Sequence, residues 1–342
     1  MQREHFATTR DGQNVERFTL TNKNGLVARI ITWGGTLIEF HAPDRDGKFA
    51  EITLGFDAPE SWLGEHPYFG VIAGRYANRI ACGKFQLDGK TYTLTTNNGR
   101  NHLHGGSVGF DKKNWLPHPV SNNALRLTLT SPDVDQGYPG KLKIAVIYTL
   151  TDDNELRLDY EATTDQPTIL NPTNHTYWNL GPTPHILAHE LTLHASHYTA
   201  IDSESIPTGE LPPAKGAMDF TKAKPIGRDI AAVQNQPGGG YDHNWVIDRS
   251  PSEKHSLAAE LHDPASGRTM TVRTTEPGIQ FYSGNYLDNL PGRAGRIYPK
   301  HGGLCLETQH FPDSPNHPAF PTTILRPGQI FSSTTIYRFS AK

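Results

Sequence analysis

Apolar and polar residues alternate along several segments of the chain, a pattern that predicts half-buried β-strands. In KLKIAVIYTL (141–150) every second residue is apolar, and ELRLDYEA (155–162) repeats the alternation. A short polar turn separates the two, so the pair predicts an antiparallel hairpin. KFQLDGKTYTL (84–94) predicts another hairpin, because its Asp-Gly dipeptide is a strong turn signal.

Two further segments carry strand or hairpin signals, and helical periodicity is scarce. ALRLTL (124–129) alternates like a strand, and DPASG (263–267) is typical of a hairpin turn. The best helix candidate is GRDIAAVQNQ (227–236), which a glycine-rich run ends. These patterns predict an all-β fold, a large antiparallel β-sandwich with few short helices.

Domain organisation follows from the absence of a clear linker. The Pro-rich segment 203–216 is the one candidate boundary, and its composition fits a long surface loop better. Large all-β domains often exceed the usual domain size, so 342 residues are compatible with one unit. We therefore expect 1–342 to form a single domain.

Composition and charge narrow the class of partner. The chain has 32 Gly and 26 Pro, which fits many short strands joined by turns. Its formal net charge of −3, without a Lys/Arg-rich run, argues against a nucleic-acid partner. No apolar segment resembles a signal peptide or approaches the length of a bilayer span, so we expect a cytoplasmic protein without membrane contact. Two cysteines are too few for a disulfide scaffold.

The segment NPTNHTYWNL (171–180) is the richest in candidate chemistry. His175 can exchange a proton near neutral pH, and its asparagine neighbours can bind hydroxyls. Tyr177 and Trp178 can stack against the C–H face of a sugar ring. A single histidine near an apolar run is more often structural, but this combination of polar and flat side chains suits a sugar site.

A second segment, GGLCLETQHFPDSPN (302–316), contributes a carboxylate. Leu304 and Leu306 should face one side of a strand, and Glu307 the other. A carboxylate at the end of an apolar strand is costly to bury without a partner or a task, which makes Glu307 a candidate proton acceptor. His175 and Glu307 together would form an acid–base pair.

Two other motifs fail their structural requirements, and one alternative pairing stays open. GGSVG (105–109) matches a nucleophile-elbow pattern, but no helix signal follows it. The histidine-rich segment 185–197 lacks the i, i+4 spacing of zinc-peptidase helices. Asp242 and Glu307 could in principle be the two facing carboxylates of a glycoside hydrolase.

Six segments in order along the chain carry a resemblance to a known family. They are GRYANRI (74–80), NHLHGG (101–106), NPTNHTYWNL (171–180), YDHNW (241–245), PGIQFYSGN (277–285) and LCLETQHFPDSPN (304–316). Together they resemble the aldose 1-epimerase, or galactose mutarotase, family over nearly the whole chain. The resemblance implies a galactose mutarotase-like supersandwich that interconverts the α and β anomers of free aldoses such as galactose and glucose, without a cofactor or a metal.

The same resemblance assigns roles to individual residues. It implies that His175 is the acid and Glu307 the base of ring opening. The implied sugar-binding positions are Asn78, Arg79, His104, Tyr177, Asp242 and Gln280. The expected partner is a small aldose sugar, and the protein is expected to be a monomer or homodimer.

Ring opening sets a requirement on protonation. The C1 hydroxyl must lose a proton while the ring oxygen gains one. We therefore predict a raised pKa for His175 and an ionised Glu307 at working pH. A glycoside hydrolase that uses Asp242 and Glu307, and a non-catalytic carbohydrate-binding protein, remain as alternatives.

Overall fold

The computed structural model describes residues 1–250 and 252–342, and its regular structure is mostly β-strand. The strands are β1 (Gln2–Thr8), β2 (Asn14–Thr21), β3 (Val27–Ile31), β4 (Leu37–Pro43), β5 (Phe49–Glu51), β6 (Ile72–Ala73), β7 (Arg79–Ile80), β8 (Lys84–Leu87), β9 (Lys90–Thr93), β10 (His102–Leu103), β11 (Leu116–Ser121), β12 (Ala124–Ser131), β13 (Leu142–Leu150), β14 (Glu155–Thr164), β15 (Thr168–Ile169), β16 (Thr173–Asn174), β17 (Tyr177–Trp178), β18 (Glu190–Leu193), β19 (His197–Tyr198), β20 (Lys224–Pro225), β21 (Asp242–Val246), β22 (Ser256–His262), β23 (Arg268–Thr274), β24 (Gly278–Tyr282), β25 (Leu290–Pro291), β26 (Ile297–Tyr298), β27 (Leu304–Gln309), β28 (Ile324–Leu325) and β29 (Phe331–Ala341).

Helices are few and short in the described part of the chain. They are α1 (Pro59–Leu63) and the 3₁₀ helices Ala81–Gly83, Phe110–Lys112, Asp135–Gly137, Gly216–Met218, Ile226–Val233, Arg293–Gly295 and Ser314–Asn316. The helix predicted over 227–236 is present as the 3₁₀ helix of Ile226–Val233. None of these described helices has the length and apolar character needed to cross a bilayer.

The hairpins predicted from alternation are confirmed. β13 and β14 pair antiparallel, with Leu150 opposite Leu156 next to the turn. β8 pairs with β9 around the Asp-Gly turn, and β22 pairs with β23 around 263–267. Alternate residues of β14 are buried, as a strand with one face on a core requires.

Three antiparallel sheets dominate the architecture. The largest has nine strands in the order β11-β12-β13-β14-β29-β23-β22-β18-β20. A five-stranded sheet has the order β17-β27-β24-β21-β19, and the first five strands form another. Their arrangement is the predicted all-β sandwich.

A hydrophobic core joins the three sheets. Leu158 of the nine-stranded sheet and Phe281 of the five-stranded sheet β17-β27-β24-β21-β19 belong to the same buried cluster. The Tyr337 hydroxyl donates to the Leu306 carbonyl at 3.2 Å, which ties these two sheets together. Because one face of the sheet β17-β27-β24-β21-β19 is committed to this core, its other face is available for polar residues.

Candidate active site

Glu307 lies on the polar face of β27. Its neighbours Leu304 and Leu306 belong to the hydrophobic core, and side chains alternate along a strand. The prediction that Glu307 points away from the two leucines is confirmed, because Glu307 lines a pocket on the opposite face. The residue is only 3% exposed, so its carboxyl group lies in an environment that disfavours charge.

Two neighbouring strands extend this polar face. Gln280 of β24 lies directly opposite Glu307 in the register, and Asp242 of β21 follows on the same face. The Gln280 amide donates from Nε2 to Asp242 Oδ1 at 2.7 Å. Its Oε1 accepts from Gln309 Nε2 at 3.3 Å. These two hydrogen bonds fix the orientation of the Gln280 amide, which in turn holds the Asp242 carboxylate.

His175 reaches the same pocket from the short segment between β16 and β17. Its backbone N–H donates to the Val71 carbonyl at 2.9 Å, and its carbonyl accepts from Gly70 N–H at 3.0 Å. The imidazole stacks on the Tyr177 ring, with 5.2 Å between centroids. Nε2 lies 3.7 Å from Glu307 Oε2, so two groups far apart in sequence meet in one pocket.

Asn78, Arg79 and His104 form one hydrogen-bonded corner of the pocket. His104 N–H donates to the Asn78 carbonyl at 3.0 Å, and Asn78 N–H donates to His104 Nδ1 at 3.1 Å. The second bond makes Nδ1 an acceptor, so a neutral His104 carries its proton on Nε2. Arg79 Nε donates to Asn98 Oδ1 at 3.1 Å, which steadies the guanidinium. The corner therefore presents donors that suit sugar hydroxyl oxygens.

The pocket has a volume of about 170 Å³. It is lined by Pro67, Tyr68, Asn78, Arg79, Leu103, His104, His175, Tyr177, Asp242, Tyr282, Tyr286 and Glu307. Every predicted site residue except Gln280 is among them. Gln280 is connected to the pocket by its hydrogen bond to Asp242, which lines it. Pockets for drug-sized ligands are larger, roughly 300–1,000 Å³, so this one suits a small molecule.

Several lining residues are absent from the sequence prediction. Tyr282 lies two residues after Gln280, and strand alternation alone would have placed it on the same face. Tyr286 is 58% exposed and stacks on Tyr282 with 6.2 Å between centroids. The Tyr68 ring lies 4.6 Å from that of His104 and 5.8 Å from that of His175, in a loop without any periodic signal.

Protonation of the acid–base pair is the reverse of the prediction. Burial lowers the pKa of His175 to about 4 and raises the pKa of Glu307 well above its ordinary value. The prediction of a raised pKa for His175 and an ionised Glu307 is therefore wrong. The sequence shows the residue types but not the depth of burial, which penalises the charged form of both groups.

The pKa of Asp242 is raised, because burial outweighs the neighbours that favour its charged form. Burial raises the pKa of Asp242, while Arg79 and the hydrogen bond from Gln280 lower it. Asp242 also raises the pKa of Glu307, whereas Arg79 lowers it. Arg79 thus favours the ionised form of both carboxyl groups.

One group of residues has the donor atoms of a metal site. His175, Cys305 and Glu307 each place a possible ligand atom within 4.8 Å of the others. Burial raises the pKa of the Cys305 thiol well above its usual value, so the sulfur would have to lose a firmly held proton to bind a metal ion. The protonation state favours proton exchange between His175 and Glu307 over metal ligation.

Comparisons with known proteins show the family of the chain. The model of the family described as "Aldose 1-epimerase" matches residues 16–338. The chain is 45% identical to a galactose mutarotase of Homo sapiens over 96% of this chain and 95% of that protein. It is 39% identical to an aldose 1-epimerase of Escherichia coli K12 over the full length of both.

Solved structures show the same relationship. An aldose epimerase homologue from C. elegans superposes with a TM-score of 0.89 at 31% identity, covering 95% of this chain and 98% of that one. A galactose 1-epimerase from Lactobacillus acidophilus gives a TM-score of 0.84 at 28% identity, covering 99% and 98%.

Proposed function

The chain belongs to the aldose 1-epimerase family, and we propose that it carries out the family's reaction with His175 as the acid and Glu307 as the base. The protein is an isomerase, a mutarotase that interconverts the α and β anomers of free hexoses such as galactose. The observation that carries the assignment of roles is the approach of His175 Nε2 to Glu307 Oε2, at 3.7 Å, with both side chains lining one pocket.

Two proton transfers open the ring. Glu307 takes the proton of the C1 hydroxyl while His175 donates a proton to the ring oxygen, and the C1–O5 bond breaks to leave an aldehyde. Rotation about C1–C2 presents the other face of the carbonyl. Glu307 then returns its proton to the carbonyl oxygen as His175 takes back the proton of the C5 hydroxyl, and the ring closes to the opposite anomer.

The pair needs one exchangeable proton in total, and its location changes during the reaction. Imidazolium with carboxylate opens the cyclic sugar, and neutral imidazole with carboxylic acid closes the open chain. The pKa directions favour the neutral combination. Among residues 1–250 and 252–342, Glu307 Oε2 has no hydrogen-bond partner, so a sugar hydroxyl that donates to it would favour the ionised pair.

The dependence of kcat/KM on pH should be bell-shaped. Below about pH 4, His175 gains a proton while Glu307 keeps its own, so no base remains. As pH rises through the raised pKa of Glu307, the last exchangeable proton is lost and no acid remains. Initial rates measured by polarimetry from pH 3 to 10 test this expectation. A rate that shows no fall as the pH drops through about 4 would contradict the acid–base assignment.

Asp242→Asn should mainly weaken sugar binding. Asparagine keeps an oxygen that can accept the hydrogen bond from Gln280, but it lacks the negative charge that strengthens hydrogen bonds from sugar hydroxyls. We therefore expect KM to rise roughly 10–100-fold with a smaller change in kcat. Asp263→Asn removes another buried carboxylate that does not line the pocket, and it serves as the matched control. A fall in kcat as deep as that of Glu307→Gln, with KM unchanged, would show that Asp242 transfers protons.

Polarimetry on freshly dissolved α-D-galactose tests the activity itself. The protein should speed the drift of optical rotation to anomeric equilibrium, and α-D-glucose should be tested beside galactose. A glycoside hydrolase using Asp242 and Glu307 would instead release phenol from aryl galactosides, and a binding protein would do neither. An unchanged drift at micromolar protein would contradict the proposal.

We also propose that residues 1–342 act as one domain. This is supported by the contributions of Phe18 near the start and Phe339 near the end to one hydrophobic core. A cytoplasmic location and a monomeric or homodimeric state stay predictions, as does the absence of a nucleic-acid partner.

A further inference from the structure

Cys305 is the partner of the His175 ring nitrogen that is turned away from Glu307. Cys305 Sγ lies 3.5 Å from His175 Nδ1, whereas Nε2 lies 3.7 Å from Glu307 Oε2. Within residues 1–250 and 252–342, the structure gives Nδ1 no other side-chain partner. The sulfur is fully buried, so water does not compete for this contact.

The strand register explains why Cys305 reaches the imidazole. Cys305 and Glu307 are two residues apart on β27 and share its polar face. Across the ladder Cys305 pairs with Tyr177, whose ring stacks on His175. The imidazole is therefore contacted by a sulfur, an aromatic ring and a carboxyl group, each from a different direction.

We propose that Cys305 is a positioning residue whose sulfur accepts a hydrogen bond from His175 Nδ1–H and so reserves Nε2 for proton exchange with the sugar. The inference rests on the proposed acid role of His175. A neutral imidazole has one N–H and one acceptor nitrogen, and the partner of one nitrogen decides which is which. To take back the proton of the C5 hydroxyl, Nε2 must be the acceptor, so Nδ1 must hold its proton throughout.

A thiol suits this position because it adds no charge. A carboxylate beside Nδ1 would also accept a hydrogen bond from Nδ1–H. Its negative charge, however, would stabilise the imidazolium and raise the pKa of His175. Burial keeps the thiol neutral, since it raises the pKa of Cys305 well above its usual value. Sulfur is a weak acceptor, so it orients the ring while both protonation states of His175 stay accessible.

Cys305→Ala and Cys305→Ser test the role together. Alanine removes the acceptor, so kcat should fall by about 10-fold, the lower end of the loss seen when the hydrogen-bond partner of a metal-bound histidine is removed, with KM little changed. Serine keeps an acceptor oxygen, so most of kcat should return. Cys82→Ala, at an exposed cysteine outside the pocket, is the matched control and should keep wild-type kcat.

Nitrogen-15 NMR of the ring reports the tautomer directly, with His175→Asn used to assign the signals. We expect a neutral His175 with its proton on Nδ1 in the wild type, and a mixture of tautomers in Cys305→Ala. Equal kcat and equal tautomers in the wild type and Cys305→Ala would overturn the inference, as would equal losses in the serine and alanine variants. If Cys305→Ala does not fold, the wild-type spectrum decides alone, and a proton on Nε2 overturns the inference.

Failure of this inference is distinguishable from failure of the proposed function. A wild-type protein that does not speed mutarotation contradicts the function. A wild-type protein that is active, with kcat and tautomer insensitive to Cys305, contradicts only the positioning role.

Discussion

Glu307→Gln should lower kcat/KM for α-D-galactose by about 10²–10⁴-fold, the contribution of a well-placed general base. Glutamine has the shape of glutamate but cannot accept the proton of the C1 hydroxyl. In the described part of the chain Glu307 Oε2 has no hydrogen-bond partner, so this replacement breaks no hydrogen bond of that oxygen, and we expect the fold to be kept. Polarimetric rates, with binding of galactose followed by calorimetry, separate lost catalysis from lost affinity.

Glu276→Gln provides the matched control for this variant. Glu276 is also a buried glutamate beside a histidine, with Oε2 2.6 Å from His310 Nδ1, but it does not line the pocket. Its replacement should lower the thermal stability and leave kcat near the wild-type value. If both glutamine variants lose activity equally, the loss reflects a disturbed fold and Glu307 is not the base.

His175→Asn should cause a loss of similar size, about 10²–10⁴-fold in kcat/KM, because asparagine cannot transfer a proton to the ring oxygen. The acid and the base act in one concerted exchange, so their losses should not multiply. A double variant with Glu307→Gln should be little slower than the worse single variant. The rates of the four proteins, measured together, test this coupling.

His189→Gln is the control for His175→Asn. His189 is fully buried, and burial lowers its pKa to about 4 as well, but it lies beside Asp263 outside the pocket. It accepts a hydrogen bond from Leu180 N–H at 3.0 Å, so its replacement should lower the melting temperature without changing kcat. Single losses that multiply fully in the double variant would mean that His175 and Glu307 act independently, contrary to the proposed exchange.

Elements built from local pairing can be predicted from the sequence. The hairpin of β13 and β14 follows from alternation and one polar turn, because both strands lie within a few residues of each other. The pairing of β14 with β29, or of β17 with β27, joins distant segments and has no local signal. The sandwich class is therefore predictable from composition and period, whereas the order of its strands is not.

Some features of the candidate site can likewise be predicted from the sequence, and others cannot. His175 and Glu307 can be selected by residue type and motif, since each lies in a segment with unusual polar chemistry. Their 3.7 Å approach and their reversed protonation depend on burial, which the linear sequence does not contain. Tyr68 could not be found, because it enters the pocket from an irregular loop at a positive φ of 60°.

A crystal structure of the protein with D-galactose would show whether His175 and Glu307 face the bonds that change. We expect one Glu307 carboxyl oxygen within about 3.2 Å of O1 and His175 Nε2 within about 3.2 Å of the ring oxygen, the reach of proton transfer. Asp242 should contact hydroxyls away from C1. A sugar bound in this pocket with C1 and its ring oxygen turned away from both groups would contradict the account.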